Sequence, residues 1–286
     1  MKMRNRLIAD AGSTKVDWVV IDSHGNEAAR VTSDGINALL ASTSEIEETM
    51  GSVHTAMASS PKPEEIYYYG AGCATPAICD KMRDALRKCW EVDAVSVSSD
   101  LLGAARALFG HEKGIACILG TGSNSCLYSG EEIISHVPSL GYILGDEGSG
   151  AALGKRLVSD AFKGILPEEV RDNFLTWSAL TLEDILEKVY RGKAPNKFLS
   201  SFVPFIKENI WNTYLYTLVL QELTTFFKRN VALYVGSHPY PVGFIGSVAS
   251  NFENILREAA SSQGYSVGKI MTSPMEGLIA YHTGRH

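Results

Sequence analysis

The chain has 286 residues, of which 45% are hydrophobic and 20% are charged, and 26 basic against 32 acidic residues give a net charge of −6. This composition excludes a disordered or fibrous chain and fits one large globular domain or two medium ones. The negative charge provides no field that would attract nucleic acid or an anionic membrane, so we expect neither as a partner. It does not exclude a local phosphate site, because backbone N–H groups and one lysine suffice to build one.

The sequence predicts a cytoplasmic protein. Apolar runs such as residues 115–119 are far shorter than the roughly 18 residues that a membrane span needs. The basic start, residues 1–6, is followed by only three apolar residues before Asp10, which is too short for a signal peptide. The cysteines form no CxxC pair, so we expect mostly buried free thiols rather than disulfides or a zinc knuckle. They are Cys73, Cys79, Cys89, Cys117 and Cys126.

Short apolar segments alternate with helical periodicity in the first half of the chain. Predicted strands cover residues 6–9, 16–21, 27–33, 65–69 and 92–98. Predicted helices cover residues 45–59, 76–90 and 101–109, with Asp100 placed to cap the last one. This alternation indicates an α/β architecture with parallel pairing, opening with an antiparallel meander.

The same pattern begins again after about residue 110, with a strand over 114–119, a glycine-containing turn and a strand through residue 128. An offset of 110 residues pairs Gly12 with Gly122, Ser13 with Ser123 and Trp18 with Tyr128. A weak repeat of this kind predicts two related domains. We place them at residues 1–110 and 111–286.

The remainder is predicted to be mostly helical from residue 149 to 233. Strands at 240–245 and 268–271 and helices at 252–263 and 275–283 follow. The last helix, extended to 275–284, is a candidate to pack back on the first domain. Four aromatic residues in the helical middle fit the core or a homodimer interface. They are Tyr214, Tyr216, Phe226 and Phe227.

Four glycine-bearing turns follow apolar strands, at residues 10–15, 70–72, 120–125 and 243–247. Glycine lets the backbone approach a ligand closely, and serine and threonine add hydroxyl donors, so facing turns of this kind could hold a polyphosphate. Plain hairpin turns are the alternative for each one alone. The absence of GxxxxGK[ST] excludes a P-loop protein, and the absence of GxGxxG before a first helix disfavours a Rossmann dinucleotide fold.

The turns resemble a known superfamily in both content and order. Residues 10–15, Asp-Ala-Gly-Ser-Thr-Lys, resemble the first phosphate motif of the actin/hexokinase/Hsp70 ATPase superfamily, and residues 118–125 resemble the second. Residues 145–150, Gly-Asp-Glu-Gly-Ser-Gly, are similar to a signature of the N-acetylglucosamine kinase branch of the BadF/BadG/BcrA/BcrD ATPase family. Residues 242–249 resemble the adenosine loop. The resemblance spans nearly the whole chain.

This resemblance implies two ribonuclease-H-like domains around a cleft that binds ATP, Mg²⁺ and a phosphate acceptor. Asp10 would hold the Mg²⁺ through water, a ligand set that this hard cation favours. The resemblance assigns phosphate or ATP contacts to Gly12, Ser13, Thr14, Lys15, Gly120, Thr121, Gly122, Ser123, Gly246 and Ser247. A turn-forming aspartate is the alternative for Asp10.

The resemblance also assigns the catalytic base and the sugar contacts. Asp100 is the predicted base that accepts the proton of the attacking hydroxyl, and a plain helix N-cap is its alternative. Asn37 and Asp146 match sugar contacts, and Thr121 is a third candidate. Loop or cap positions are the alternatives for Asn37 and Asp146.

One departure concerns the acceptor. Many sugar kinases of this branch carry Gly-Trp-Gly before the Gly-Asp-Glu-Gly motif, where this chain reads Ser139-Leu140-Gly141. The function implied is an ATP-dependent amino-sugar kinase. N-acetylglucosamine, glucosamine and an N-acetylmuramic-type sugar all remain candidate acceptors.

Two other functions fit the superfamily. One is an ATPase activator or subunit of a 2-hydroxyacyl-CoA dehydratase or benzoyl-CoA reductase system, in which cysteines such as Cys117 and Cys126 would hold an iron–sulfur cluster. The other is a catalytically weak sugar or nucleotide sensor. Whether ATP turnover needs a sugar separates these functions from a kinase.

Overall fold

The computed structural model of the chain describes residues 4–234, 236 and 239–285. The basic start considered above therefore lies partly outside the described residues. The chain divides into two compact units. Unit 1 combines the chain up to His111 with the chain from Pro274 onward, and unit 2 is Glu112–Ser273. The first division falls one residue beyond the boundary expected from the repeat.

Unit 1 begins with a meander and continues with alternating helices and strands. Its elements are β1 (Arg6–Ala11), β2 (Lys15–Ile21), β3 (Glu27–Asp34), α1 (Thr43–Ala56), β4 (Glu65–Gly70), α2 (Pro76–Trp90), β5 (Val95–Ser99) and α3 (Asp100–Phe109). The sheet order is β3-β2-β1-β4-β5. The β1–β2 and β2–β3 pairs are antiparallel, whereas β4 runs parallel to both β1 and β5. The predicted α/β architecture is thus confirmed.

Two local predictions in unit 1 were wrong. The strand predicted over residues 92–98 begins only at Val95, because the chain turns at Glu91 with a φ of 52°. The cap of α3 is Ser99 and not Asp100, since the Ser99 side chain accepts the Leu102 N–H at 3.2 Å. Asp100 is instead the first residue of the helix.

Unit 2 repeats this order around a larger helical insertion. Its first elements are β6 (Gly114–Leu119), β7 (Ser123–Tyr128), β8 (Ile133–Val137), α4 (Gly141–Leu144), α5 (Gly150–Phe162), α6 (Glu168–Ser178), α7 (Leu182–Tyr190) and α8 (Pro195–Ser200). They are followed by α9 (Val203–Glu208), α10 (Thr213–Arg229), a 3-10 turn (Val231–Leu233), β9 (Val242–Ile245), α11 (Ser247–Asn251), α12 (Glu253–Ser262) and β10 (Val267–Met271). The sheet order β10-β9-β6-β7-β8 has the same topology as unit 1, although β8 was not predicted.

The two units share one strand topology, as the repeat predicted, but the predicted offset of 110 residues was wrong. β1 and β6 end at Ala11 and Leu119, which lie 108 residues apart, and β2 and β7 begin at the same separation. The turns therefore correspond from Gly12 and Gly120 onward. The offset of 110 aligned similar letters at positions that the fold does not equate.

The last helix, α13 (Met275–Thr283), packs against α3 and β1 of unit 1. Its His282 ring stacks on Tyr67 with ring centres 3.8 Å apart, and His282 Nε2 lies 2.9 Å from the Tyr69 hydroxyl. Arg106 Nη1 donates to the same hydroxyl at 2.8 Å, and Arg6 donates to the His282 carbonyl oxygen. This polar network ties α13 to the central strands of the sheet.

The described helices include none that is long and apolar enough to cross a membrane. Unit 2 has a core of its own, in which Phe226 and Phe227 are fully buried and Tyr214 and Tyr216 pack at its margin. Two of the four aromatic residues assigned to core or interface are therefore core.

Candidate functional site

The carboxyl ends of three parallel strands meet at one edge of the sheet in unit 1. The registers place Ala11, Gly70 and Ser99, the last residues of β1, β4 and β5, side by side. Ligands of open α/β sheets bind beyond the carboxyl ends of the strands. The turn after β1, the turn after β4 and the start of α3 all leave from this edge, which is the candidate site of unit 1.

Negative charge dominates this edge. Asp10 lies opposite Asp17 in the β1–β2 pair. Burial, together with repulsion from Asp100 and Asp17, raises the pKa of Asp10 to about 7, and Lys15 acts in the opposite direction. Lys15 Nζ lies 2.6 Å from Asp17 Oδ2, so its charge is largely taken up by that carboxylate. The edge therefore carries more negative charge than its lysine neutralises.

Asp100 stands where β5 passes into α3. Its Oδ1 accepts the Leu101 N–H at 2.9 Å. Burial raises the pKa of Asp100, whereas this backbone hydrogen bond lowers it. The positive end of a ten-residue helix also favours the ionised carboxylate. Asp100 thus combines partial desolvation with a fixed orientation, which is what a base requires.

The turn after β1 is held by neighbouring loops. Gly12 donates to the Lys15 carbonyl oxygen at 3.0 Å, and Gly35 donates to that of Thr14 at 3.1 Å. Asn37 Nδ2 donates weakly to Ser13 Oγ at 3.5 Å. Ser13 is half-buried, while Thr14 and Lys15 are exposed. The predicted sugar contact and the predicted phosphate turn are therefore neighbours.

The second phosphate turn lies at the matching edge of unit 2. β6 and β9 are adjacent and parallel, so the turn at 120–122 and Gly246 leave from the same edge. Gly150 and Ala151, at the start of α5, donate to the carbonyl oxygens of Gly120 and Thr121 at 2.8 and 3.1 Å. The N-terminus of α5 therefore holds the turn in place through two backbone hydrogen bonds.

Asp146 is joined directly to this turn. It is buried, has a φ of 57°, and its Oδ1 accepts the Ser123 N–H at 3.1 Å. Burial raises the pKa of Asp146, and the hydrogen bond from Ser123 lowers it. The alternative of a helix cap was wrong, because Ser149 caps α5 by accepting the Ala152 N–H.

Gly246 brings the turn after β9 against the turn after β6. Its φ is 124°, and a Cβ at this position would lie 2.3 Å from the Leu119 carbonyl oxygen. Only glycine fits this combination of backbone angle and close approach. The next residue, Ser247, is exposed and begins α11.

The departure before the Gly-Asp-Glu-Gly motif forms an exposed apolar segment. Leu140 has a φ of 58° and is 62% exposed, and Ile143 and Leu144 in α4 are each 70% exposed. Tyr142 is half-buried, and its carbonyl oxygen accepts from Lys155 at 3.3 Å. The aromatic expected at position 140 is thus replaced by exposed aliphatic side chains beside Asp146.

Three features of the structure were missed in the sequence. Asp17 is 7% exposed in β2 and accepts from Thr32, and the signal was a charged residue within an apolar run. Glu147 pairs with Arg229 at 2.5 Å across 82 residues, which no local pattern shows. A cavity of about 740 Å³ lies between the start of α10 and the α11–α12 junction. Its lining includes Trp211, Tyr216, Ser250, Asn251 and Asn254.

The described residues fit a Mg²⁺ site better than they fit an iron–sulfur cluster. Among the described residues, no three histidine, cysteine, aspartate or glutamate side chains are grouped to hold a metal by themselves. The Asp10 edge nevertheless fits a Mg²⁺ whose other ligands are water and phosphate, because its carboxylates lack full neutralisation. All five cysteines are free, and Cys117 and Cys126 are fully buried. An iron–sulfur cluster shared between subunits needs exposed cysteine ligands, and Cys117 and Cys126 are not exposed.

Comparison with solved structures gives a close match to a protein of Porphyromonas gingivalis that is provisionally named an N-acetylglucosamine kinase. The two are 44% identical with a TM-score of 0.93, over 98% of this chain and 99% of that chain. The chain belongs to the same family as that protein. No protein-family model and no curated protein matches the chain.

More distant structures share the fold alone. A Chromobacterium violaceum protein with the same provisional name is 17% identical with a TM-score of 0.77, over 99% of this chain and all of that one. A ROK-family glucokinase of Streptomyces griseus, solved with glucose and AMPPNP, is 14% identical with a TM-score of 0.56, over 98% of both chains. The two-domain actin-like ATPase fold predicted from the motifs is thus confirmed.

Proposed function

We propose that the protein is an ATP-dependent kinase that phosphorylates an amino sugar, with N-acetylglucosamine as the first acceptor to test. The observation that carries this proposal is the 44% identity, over nearly the full length of both chains, with the Porphyromonas protein. The chemistry of the two sheet edges supports it independently, since one edge gathers carboxylates and the other a glycine-rich turn on a helix N-terminus.

In this proposal unit 1 supplies the acid–base chemistry. Asp100 accepts the proton of a sugar hydroxyl while that oxygen forms its bond to the γ-phosphorus, and ADP leaves with the electrons of the broken phosphoryl bond. Asp10 would hold the Mg²⁺ through water. The bound Mg²⁺ would neutralise charge on the phosphate oxygens. Gly12, Ser13, Thr14 and Lys15 contact phosphate from the same unit.

Unit 2 holds the nucleotide in this proposal. The turn from Gly120 to Ser123 contacts phosphate, while Gly246 and Ser247 contact the adenosine. The cavity beyond α11 suits the adenine base of the nucleotide. It begins within about 7 Å of Gly246, because α11 has only five residues. Trp211 is 68% exposed at this cavity, and an exposed indole is a surface on which a purine stacks.

The sugar contacts proposed are Asn37, Asp146 and Thr121. An amide and a carboxylate offer the donor and acceptor atoms that vicinal hydroxyls need. Leu140 stands where the branch carries an aromatic, so glucosamine and N-acetylmuramic-type sugars remain acceptors to test. Membership of the BadF/BadG/BcrA/BcrD family, a homodimer and a cytoplasmic location stay predictions.

The electron-transfer activator is disfavoured by the burial of Cys117 and Cys126, which leaves no exposed thiol beside the second phosphate turn. The sensor alternative is separated by turnover. We would measure ADP release with Mg·ATP against N-acetylglucosamine, glucosamine, N-acetylmannosamine, N-acetylmuramic acid and glucose. Strong stimulation by one sugar supports the kinase, and phosphorus NMR of the product would locate the phosphorylated hydroxyl. ATP hydrolysis indifferent to every sugar would contradict the proposal.

The first prediction concerns the base. Asp100→Asn keeps the size of the side chain but removes the proton acceptor, so kcat should fall by about 10²–10⁴-fold. The dissociation constant for ATP, measured by calorimetry, should stay close to that of the original protein. Asp172→Asn, at an exposed aspartate of α6, is the matched control and should leave kcat unchanged. Normal turnover in Asp100→Asn would exclude Asp100 as the base.

A further inference from the structure

Tyr68 carries a buried hydroxyl that has no hydrogen-bond partner among the described residues. The side chain is fully buried in the middle of β4. Its two neighbours are different: the Tyr67 hydroxyl donates to Glu65 at 3.1 Å, and the Tyr69 hydroxyl bonds both Arg106 and His282. A buried hydroxyl without a partner lowers stability, so its retention calls for a reason.

The ring of Tyr68 leans toward the functional edge of the sheet. A Cβ at Gly70, two residues further along the same face, would lie 2.4 Å from Tyr68 Cε1. The ring therefore occupies the space that a side chain at position 70 would fill, and its Cζ, the atom that bears the hydroxyl, lies beside the last residue of β4. Position 70 must be glycine for this orientation to exist.

Gly70 lies beside Ser99, the residue that precedes the proposed base. β4 lies between β1, which carries Asp10, and β5, which leads into Asp100. The titratable groups whose charge acts on the Tyr68 hydroxyl are Cys73 from the turn after β4, Asp10 from β1 and Asp100 from α3. Among these, Asp100 already has Oδ1 bonded to the Leu101 N–H, so Oδ2 is the oxygen to which a further donor would bind.

We propose that Tyr68 is a positioning residue for the phosphoryl transfer, whose hydroxyl donates to one buried water that in turn donates to Asp100 Oδ2. The inference rests on the proposed kinase function. The water satisfies the orphan hydroxyl and, together with Leu101, holds the carboxylate plane of Asp100 at two points. A base fixed in this way is already oriented for proton transfer when the sugar hydroxyl binds.

The test is a kcat-against-KM comparison in the full-length protein. Tyr68→Phe should lower kcat about tenfold, the cost of one charge-assisted hydrogen bond, while KM for ATP and for the sugar stays unchanged. Tyr67→Phe, which removes a hydroxyl paired outside this edge, is the matched control and should keep the original kcat. Original kcat in Tyr68→Phe would overturn the inference.

A double-mutant cycle shows whether Tyr68 acts through Asp100. In the Asp100→Asn background, Tyr68→Phe should produce no further loss of kcat, because the group that it positions is already gone. A further full tenfold loss there would overturn the inference.

A crystal structure of the unaltered protein supplies a readout that does not depend on turnover or on the folding of a variant. One ordered water within hydrogen-bond distance of both Tyr68 Oη and Asp100 Oδ2 would support the inference, and density without that water would overturn it. If the unaltered protein phosphorylates no sugar, the proposed function fails, and this structure still decides the hydrogen-bond arrangement.

Discussion

Ionisation of the buried Asp10 side chain lowers the stability of the folded protein. Its pKa is about 7 in the folded protein because of burial and of repulsion from Asp100 and Asp17, whereas an unfolded aspartate titrates near 3.8. Between these values the folded state binds the extra proton, so this residue's contribution to stability is lost as the pH rises from about 4 to about 7. Its ionised form at neutral pH is retained at the expense of stability.

Asp10→Asn should therefore raise the free energy of unfolding at pH 8 by on the order of 1–3 kcal/mol while abolishing turnover. Urea unfolding at pH 5 and pH 8 would measure this, and the gain should be smaller at pH 5, where Asp10 is already protonated. Asp84→Asn, at an exposed position of α2 in unit 1, serves as the control. An equal or larger gain at pH 5 would contradict the explanation.

Single residues also show how far the sequence predicts the site. Asp10, Asp100 and Asp146 were selected through the resemblance of short motifs to those of a known superfamily, which is a local signal. Asp17 was missed because its importance depends on pairing with β1, and Tyr68 because its orientation depends on the absence of a side chain at Gly70. Those relations exist only once the strands are aligned.

The junction of β6, β9 and α11 depends on one glycine. Gly246→Ala would place a Cβ 2.3 Å from the Leu119 carbonyl oxygen at a φ of 124°, so both strain and collision follow. We expect unfolding free energy to fall by about 3 kcal/mol or more, with weaker ATP binding because the turn at 120–122 must move. Differential calorimetry and ATP titration would measure the two effects.

Gly164→Ala is the matched control for that substitution, since Gly164 has a φ of 70° but nothing within 4 Å of its added Cβ. It should cost about 1–2 kcal/mol from the backbone angle alone. A Gly246→Ala protein no less stable than Gly164→Ala would mean that the close approach to Leu119 is relieved at no cost.

Elements were predicted where the local pattern was strong. The helices α2 and α13 have the bounds that were predicted for them. The edge strand β8 was missed because most of its residues are exposed, so alternation of polar and apolar residues is weak there. The repeat offset was wrong because similar residues recur at positions of the two turns that the strands do not make equivalent.

A buried histidine makes the stability of unit 1 depend on pH. In unit 1, burial and the charges of Arg106 and Arg6 lower the pKa of His282 to about 3. The unfolded chain binds a proton near pH 6.5 and the folded chain does not, so stability should fall as the pH drops from about 6.5 toward 3.

His282→Gln keeps a polar partner for Tyr69 but cannot titrate. It should remove up to about 1.4 kcal/mol per pH unit from the slope of unfolding free energy in that range. Thermal unfolding at several pH values would measure the slope, with His24→Gln, at a surface turn, as the control. An unchanged slope in His282→Gln would show that other groups cause the acid sensitivity.

The chain order of the two units has a consequence for biosynthesis. Unit 1 is interrupted after His111 and resumes only at Pro274, so the whole of unit 2 is translated before α13 exists. During that interval β1 and α3 lack the helix that packs against them. A chain whose synthesis stops within unit 2 therefore holds the sheet of unit 1 without α13, and chaperones would meet the nascent protein in that form.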